Sequence, residues 1–175
     1  AHFLTERFDR QKGKKIHIQT LAAMNPSSDS YEDLFDTACR IGILPSEQKQ
    51  LFLLTVMNVL GGNVDDHNKN FSFLMGSDGV WHTAPAYDYT FSVDPSAPGY
   101  MNRHCMTINN KNSDIERSDL LELAKRYNIK GADAIIEKVI SVLGNYEQYA
   151  EAAGVSPYWT HKIKEEIGYR IESIH

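Results

Sequence analysis

Apolar residues crowd most densely between Ser46 and Leu60, where Leu51, Leu53, Leu54, Met57, Val59 and Leu60 fall on nearly every face of a helix. A helix without a polar face belongs in a core. Pro45-Ser46 marks its start, Glu47 suits the positive end of the helix dipole, and Gly61-Gly62 ends it. Upstream, the pattern predicts a short strand over Phe3–Phe8, then a basic turn over Asp9–Lys15 with Arg10, Lys12, Lys14 and Lys15 around Gly13. Two helices should follow. One covers Ile16–Met24; the other is opened by Ser30 as N-cap with Asp33 three residues on, and runs through Leu34, Ala38 and Ile41 to Gly42. Downstream, Phe71–Met75 and Val80–Ala84 flank the turn sequence Gly76-Ser77-Asp78-Gly79 and read as a hairpin. Val93–Asn112 holds Pro, Gly, Asn and Ser without a period, so a long irregular segment is expected. Helices over Ser118–Tyr127, Ala132–Ala153 and Pro157 to about Ile174 complete the chain. The fold class is mainly α with a small β-hairpin. Neither an internal repeat nor a low-complexity tract interrupts it.

Length and composition narrow the function classes. A chain of 175 residues suffices for one domain with a real core, and its apolar and charged fractions are those of a soluble globular protein. A net charge of -5 leaves no basic footprint for autonomous nucleic-acid binding, so contact with nucleic acid would need a partner. No apolar run approaches the roughly 20 residues needed to span a bilayer. The opening Ala-His-Phe-Leu-Thr-Glu lacks the charged and apolar regions of a secretory signal, and a cytoplasmic setting is expected. Cys39 and Cys105 are far apart and read as free thiols. The chain starts without Met, so it is expected to be a fragment or one piece of a split protein.

Between the apolar helix and the hairpin lies a loop that hydrophobicity does not explain: Asn63 to Asn70 carries seven polar side chains in eight positions. Polar loops after a rigid buried element are where functional side chains are commonly placed. A polar turn whose Asn and Asp side chains cap backbone groups is the competing reading. Asp65 and Asn70 reproduce the Asp-x-x-x-x-Asn spacing of the protein-kinase catalytic loop, in which Asp meets the substrate hydroxyl and Asn holds magnesium. That spacing is weak alone. A kinase needs a second carboxylate after a short hairpin, and Asp88 in Ala84-Pro85-Ala86-Tyr87-Asp88 sits there, although a turn Asp after Pro would look the same.

Taken together, the motifs resemble those of the HipA-like serine/threonine kinases, the toxin components of bacterial toxin–antitoxin modules. Glu6-Arg7-Phe8-Asp9-Arg10 matches that family's Glu-Arg-Phe-Asp-Arg, Asn63 to Asn70 its Asp-x-His-x-Lys-Asn loop, and Ala84 to Asp88 its Pro-x-Tyr-Asp segment. His104-x-Met106 and the helical tail are similar too, while Pro26 to Gln50 resembles the family only weakly. The resemblance implies a protein-kinase-like C-terminal lobe that uses ATP and Mg2+, with a hinge-like segment at 1–10, a catalytic loop at 61–70, a metal segment at 84–90 and a helical tail at 118–174. It makes Asp65 the catalytic aspartate, Asn70 and Asp88 the magnesium ligands, and Glu6 and Phe8 the hinge near the nucleotide. Lys69 would neutralise phosphate, and His67 would brace the loop by hydrogen bonding. Implied partners are a protein substrate such as an aminoacyl-tRNA synthetase, an antitoxin protein, and an N-terminal lobe supplied in cis or in trans. That lobe is expected to be absent from this chain, because the hinge-like motif begins at Glu6 and neither Gly-x-Gly-x-x-Gly nor Gly-x-x-x-x-Gly-Lys-Ser/Thr occurs downstream.

Two other readings stay open. A metal-dependent phosphohydrolase would use Asp65, Asp66, His67, His82 and Asp88, but the chain contains neither a His-Asp dipeptide nor His-Glu-x-x-His. A catalytically silent pseudokinase, acting as a partner-binding module, is the third.

Overall fold

The computed structural model describes residues 4–11, 13–94, 96–97 and 101–174. Its centre is the apolar helix, α3 (Pro45–Gly61). From Leu51 to Gly61 every residue is buried or half-buried, with Phe52, Val56 and Leu60 fully enclosed. Pro45 lies in the first turn, where its missing N–H costs nothing, and Gly62 closes the helix in the left-handed region at φ 72°.

α3 packs against α2 (Tyr31–Arg40), α5 (Ala132–Leu143) and α7 (Pro157–Ser173). It also meets β5 (Trp81–Thr83) of a three-stranded antiparallel sheet ordered β3-β4-β5, in which β3 is His17–Thr20 and β4 is Ser72–Met75. Ser30 caps α2 by accepting from the Asp33 N–H, as its sequence signal predicts. α1 (Leu21–Met24) is one turn capped by Thr20; its Leu21 and Ala22 N–H groups donate to the carbonyls of Phe71 and Asn68. These otherwise orphaned helix-start donors thereby fix the exit of the polar loop. α4 (Arg117–Arg126) and α6 (Tyr146–Ala152) complete a mainly helical molecule. Among the described residues no helix is long and apolar enough to cross a membrane.

Three expectations need correction. Leu4 to Arg7 form no strand, and Phe3 lies outside the described residues; Leu4 is 93% exposed, and no neighbouring strand offers these residues a ladder. A minimal ladder forms instead where the basic turn was expected: β1 (Arg10–Gln11) pairs with β2 (Lys14–Lys15) around Gly13 at φ 76°, with Lys12 outside the described residues. Ile16–Met24 is not one helix. His17–Thr20 is extended because the Ser72–Met75 edge pairs with it, His17 opposite Met75 through Thr20 opposite Ser72, which turns the expected hairpin into a three-stranded sheet. Finally, Ala132–Ala153 breaks at Gly144-Asn145, where the Asn145 amide donates to the Ser141 carbonyl and ends α5.

The irregular segment behaves as expected over its described residues; Pro95 and residues 98–100 lie outside them. It forms isolated bridges between Ser30 and Thr107 and between Ile108 and Lys111, the latter around Asn109 and Asn110 at φ 51° and 63°. Asn tolerates that region better than other side chains, which explains two Asn at one tight turn.

Candidate functional site

The loop that leaves α3 divides its side chains between the interior and solvent. Asp66, Asn63 and Asn70 are buried, whereas Asp65 and Lys69 face solvent and His67 and Asn68 lie half-buried.

The inward residues form a continuous polar chain. Asn63 donates to Asn58 on α3 at 3.0 Å, Asn58 donates to the Tyr31 hydroxyl at 2.9 Å, and Tyr31 donates to Asp66 at 2.6 Å. Asp66, fully enclosed, also accepts from His104 Nδ1 at 2.8 Å and from the Cys105 N–H at 2.8 Å. A buried carboxylate without such donors would be very costly; here both oxygens are used. Burial and then the Asp66 charge push the Tyr31 phenol well above its ordinary value, so it stays a donor.

The outward residues are sparsely bonded. Asp65 Oδ1 has the Cys105 thiol at 3.8 Å and His67 Nε2 at 4.0 Å. Burial, followed by the Asp66 and Asp65 charges, raises the Cys105 thiol, which keeps it protonated at neutral pH. Its partner is Asp65, whose own carboxylate remains open to an incoming group. His67 Nδ1 is buried with no partner among the described residues, so the ring braces nothing by a direct hydrogen bond; its carbonyl does, accepting from the Asn70 N–H at 2.9 Å. Lys69 is exposed and makes no ion pair among the described residues.

Asn70 donates through Nδ2 to the Asp65 carbonyl at 2.9 Å, which leaves its Oδ1 without a donor among the described residues. Asp88 follows the β4-β5 hairpin. It stands at φ 53°, a strained conformation for a non-glycine residue, and is held there by a tyrosine on each flank. Tyr87 donates to the Lys69 carbonyl at 2.6 Å and lies 2.5 Å from Ser72 Oγ. Tyr89 donates to the Met57 carbonyl of α3 at 2.9 Å, and burial pushes its phenol up to about 12. The bond from Tyr87 to the residue preceding Asn70 joins the two segments that carry Asn70 and Asp88. Phe8 lies against Tyr87, ring centroids 5.7 Å apart, while Glu6 is exposed. The segment expected as a hinge thus leans on the segment expected to hold metal.

The glycines at the end of α3 are required by this arrangement. A Cβ on Gly61 would stand 1.9 Å from the Tyr89 hydroxyl, and one on Gly62 would stand 2.9 Å from the Phe91 ring.

Not every candidate converges. His82 bonds Glu47 at 2.9 Å, between β5 and α3, and Asp66 is consumed by its buried partners. Among the described residues no group of three or more His, Cys, Asp or Glu is placed to hold a metal. The five-residue set of the phosphohydrolase reading is therefore not assembled, whereas a site of one Asn and one Asp needs no such cluster. A cavity of about 510 Å³ lies elsewhere, between α7 and the irregular segment, lined by Arg103, His104, Asp114, Glu166 and Arg170 among others. It backs onto His104 rather than opening at Asp65.

Asp65, Asn70 and Asp88, nominated from the sequence, lie on two segments joined by Tyr87, while Tyr31, Tyr89 and Ser92, which help to hold those segments, were not nominated. A tyrosine on each side of Asp88 was the one local signal available for them.

Comparison with known proteins shows the family and the fold. Residues 1–149 match the family model described as the HipA-like C-terminal domain. Among solved structures, HipA from the Shewanella oneidensis MR-1 toxin–antitoxin system, in complex with HipB and operator DNA, is similar with a TM-score of 0.69 at 18% identity. The match covers 97% of this chain and 47% of that one, so the chain spans about half the length of this relative and shares its kinase-like fold. No curated protein sequence matches significantly.

Proposed function

The chain belongs to the HipA-like C-terminal domain family, and from that premise we propose that it is the C-terminal lobe of an ATP-dependent kinase that phosphorylates serine or threonine of a protein substrate. The observation that supports this reading is the exposed Asp65, whose carbonyl accepts from Asn70, with the Asp88 segment tied to the same loop through the Tyr87 bond to the Lys69 carbonyl.

Each residue then has a distinct task. Asp65 orients the acceptor hydroxyl and takes its proton as the oxygen attacks, a role suited to an exposed carboxylate whose neighbours, a thiol at 3.8 Å and an imidazole nitrogen at 4.0 Å, hold it only weakly. The Asn70 Oδ1 and the Asp88 carboxylate, neither bonded to a donor among the described residues, fit the oxygen-donor preference of Mg2+. Magnesium held there would supply positive charge to neutralise the phosphates of ATP. Lys69, exposed and unpaired among the described residues, adds a mobile positive charge at the phosphate end. Glu6 and Phe8 border the adenine through backbone groups, with Phe8 seated on Tyr87.

The loop over the phosphates and its paired lysine belong to an N-terminal lobe, supplied in cis or in trans, and the chain alone should bind Mg-ATP weakly and transfer no phosphate. An antitoxin is the second partner we propose, because the similar HipA is found with HipB and DNA. With a net charge of -5, any DNA contact would run through that partner. The expected compartment is the cytoplasm, where ATP is available.

Transfer from radiolabelled ATP tests the reading. The chain joined to an N-terminal lobe should phosphorylate protein, and Asp65→Asn should reduce this by at least about 100-fold, the lower range for loss of a general base. Unchanged transfer by Asp65→Asn would remove Asp65 from the mechanism. Transfer by the isolated chain would refute the need for a second lobe, and a pseudokinase would show none in any context.

A further inference from the structure

The five residues from Asp88 to Ser92 run back along the end of α3, and each contact ties them to the start of the polar loop. Tyr89 reaches the Met57 carbonyl across the face left bare by Gly61. Phe91 lies over Gly62, close enough that a Cβ there would stand 2.9 Å from its ring. Ser92 then makes four bonds to the loop. Its N–H donates to the Gly62 carbonyl at 3.0 Å, its Oγ accepts from the N–H groups of Val64 at 2.8 Å and Asp65 at 3.0 Å, and its hydroxyl proton points to Asn63 Oδ1 at 3.5 Å.

We infer that Ser92 is a positioning residue that sets the aim of Asp65 relative to Asp88, so that the segment holding the metal and the loop holding the catalytic base move as one piece. This rests on the kinase reading of the site. The physical ground is the short lever. Asp65 has no strong side-chain bond to hold its carboxylate, so its direction follows from its backbone. That backbone is gripped at two points: the Asp65 carbonyl accepts from Asn70, and the Asp65 N–H donates to Ser92. Asn70 belongs to the loop itself. Ser92 is the grip that comes from the Asp88 segment.

Loss of the Ser92 hydroxyl would free two N–H groups at once and let the Val64–Asp65 peptide rotate. The metal ligands Asn70 and Asp88 would keep their own anchors, in the Asp65 carbonyl and in Tyr87 and Tyr89. The defect should therefore appear in the chemical step rather than in nucleotide binding. That distinguishes positioning from general damage to the fold.

The experiment has two arms. In the 175-residue chain, amide hydrogen exchange followed by NMR should accelerate at Val64 and Asp65 in Ser92→Ala and return towards wild type in Ser92→Thr, which keeps the hydroxyl. In the chain joined to its N-terminal lobe, Ser92→Ala should lower kcat by about 10- to 100-fold, as expected when a reacting group is misplaced by an ångström or less. The KM for ATP should stay within about twofold, because uniform nucleotide binding is untouched. Ser92→Thr should recover most of kcat. Should Ser92→Ala fold poorly, the pair Ser92→Val and Ser92→Thr isolates the hydroxyl at nearly constant shape. Unchanged exchange at both amides would refute the clamp itself. Faster exchange with unchanged kcat would make Ser92 merely structural, and equal losses in ATP binding and kcat would point to general damage. If the wild-type two-lobe protein transfers no phosphate, the kinase reading fails and this role falls with it, while the exchange arm still reports whether the clamp exists.

Discussion

Asp65 and Asp66 are adjacent, chemically identical and opposite in fate. The first points outward with a thiol at 3.8 Å as its nearest donor; the second is fully enclosed and accepts from Tyr31, His104 and the Cys105 N–H. The difference teaches how this loop separates its tasks. A carboxylate that takes up a proton must be reachable and loosely bonded. One that holds a loop in place must spend its lone pairs on fixed donors. Asp65 and Asp66 fall on opposite sides of the loop, so two successive residues are suited to the two tasks, and the enclosed aspartate holds the His104–Met106 segment against the back of the exposed one.

The comparison breaks most directly at Asp66. Asp66→Ala leaves the Tyr31 hydroxyl, the His104 N–H and the Cys105 N–H without their acceptor in a dry environment. Unfolding in urea should show a loss of about 3 to 5 kcal/mol, the range for removing one partner of a buried polar pair. Asp65→Asn should change stability by no more than about 0.5 kcal/mol, as for other exposed sites. Equal losses from the two variants would mean that inward and outward positions are not distinct.

Gly61→Ala sharpens the contrast from the strap side. The new Cβ falls where the Tyr89 hydroxyl sits, and overpacking of this kind costs about 1 to 3 kcal/mol. Tyr89 must leave its bond to Met57, so its phenol, raised to about 12 by burial, should titrate nearer the ordinary value of 10.0. Ultraviolet titration of the tyrosines reads this, and an unchanged profile would show that the strap absorbs the methyl group.

The smallest effect concerns a third carboxylate, Asp119, which combines enclosure with a cation. Burial pushes its pKa up, but Lys111 at 2.8 Å, the Glu116 N–H at 2.9 Å and Asn109 together hold it below the ordinary 3.8. A folded-state value below the unfolded one means that the native state sheds its proton more readily. The stabilisation is present above the ordinary value and is lost as pH falls through the lowered one. Asp119→Asn should therefore flatten the acid limb of the stability–pH curve below pH 3.8 and leave its slope near neutrality unchanged; an acid limb identical to wild type would count against the linkage.

Much of this molecule is legible in local sequence, for reasons that are themselves local. The all-apolar face of Leu51 to Leu60, the Ser30 cap, the Gly-rich turn between β4 and β5 and the spacing of Asp65, Asn70 and Asp88 depend on residues a few positions apart, where periodicity, capping chemistry and turn preference act. The Gly144-Asn145 break has a local signal too, but residues in helical register on both sides mask it.

The tertiary structure decided the rest. His17–Thr20 is extended only because Ser72–Met75, distant in sequence, offers a ladder edge. Asp66 is a support and not a ligand only because Tyr31 and His104, 35 and 38 residues away, converge on it. Ser92 reaches the Val64 and Asp65 amides because the chain after Asp88 folds back along two glycines at the end of α3. Sequence by itself could nominate the groups able to carry charge and bind metal, since that ability is intrinsic to each side chain. Which aspartate faces solvent depends on where buried donors happen to meet, and that is a property of packing.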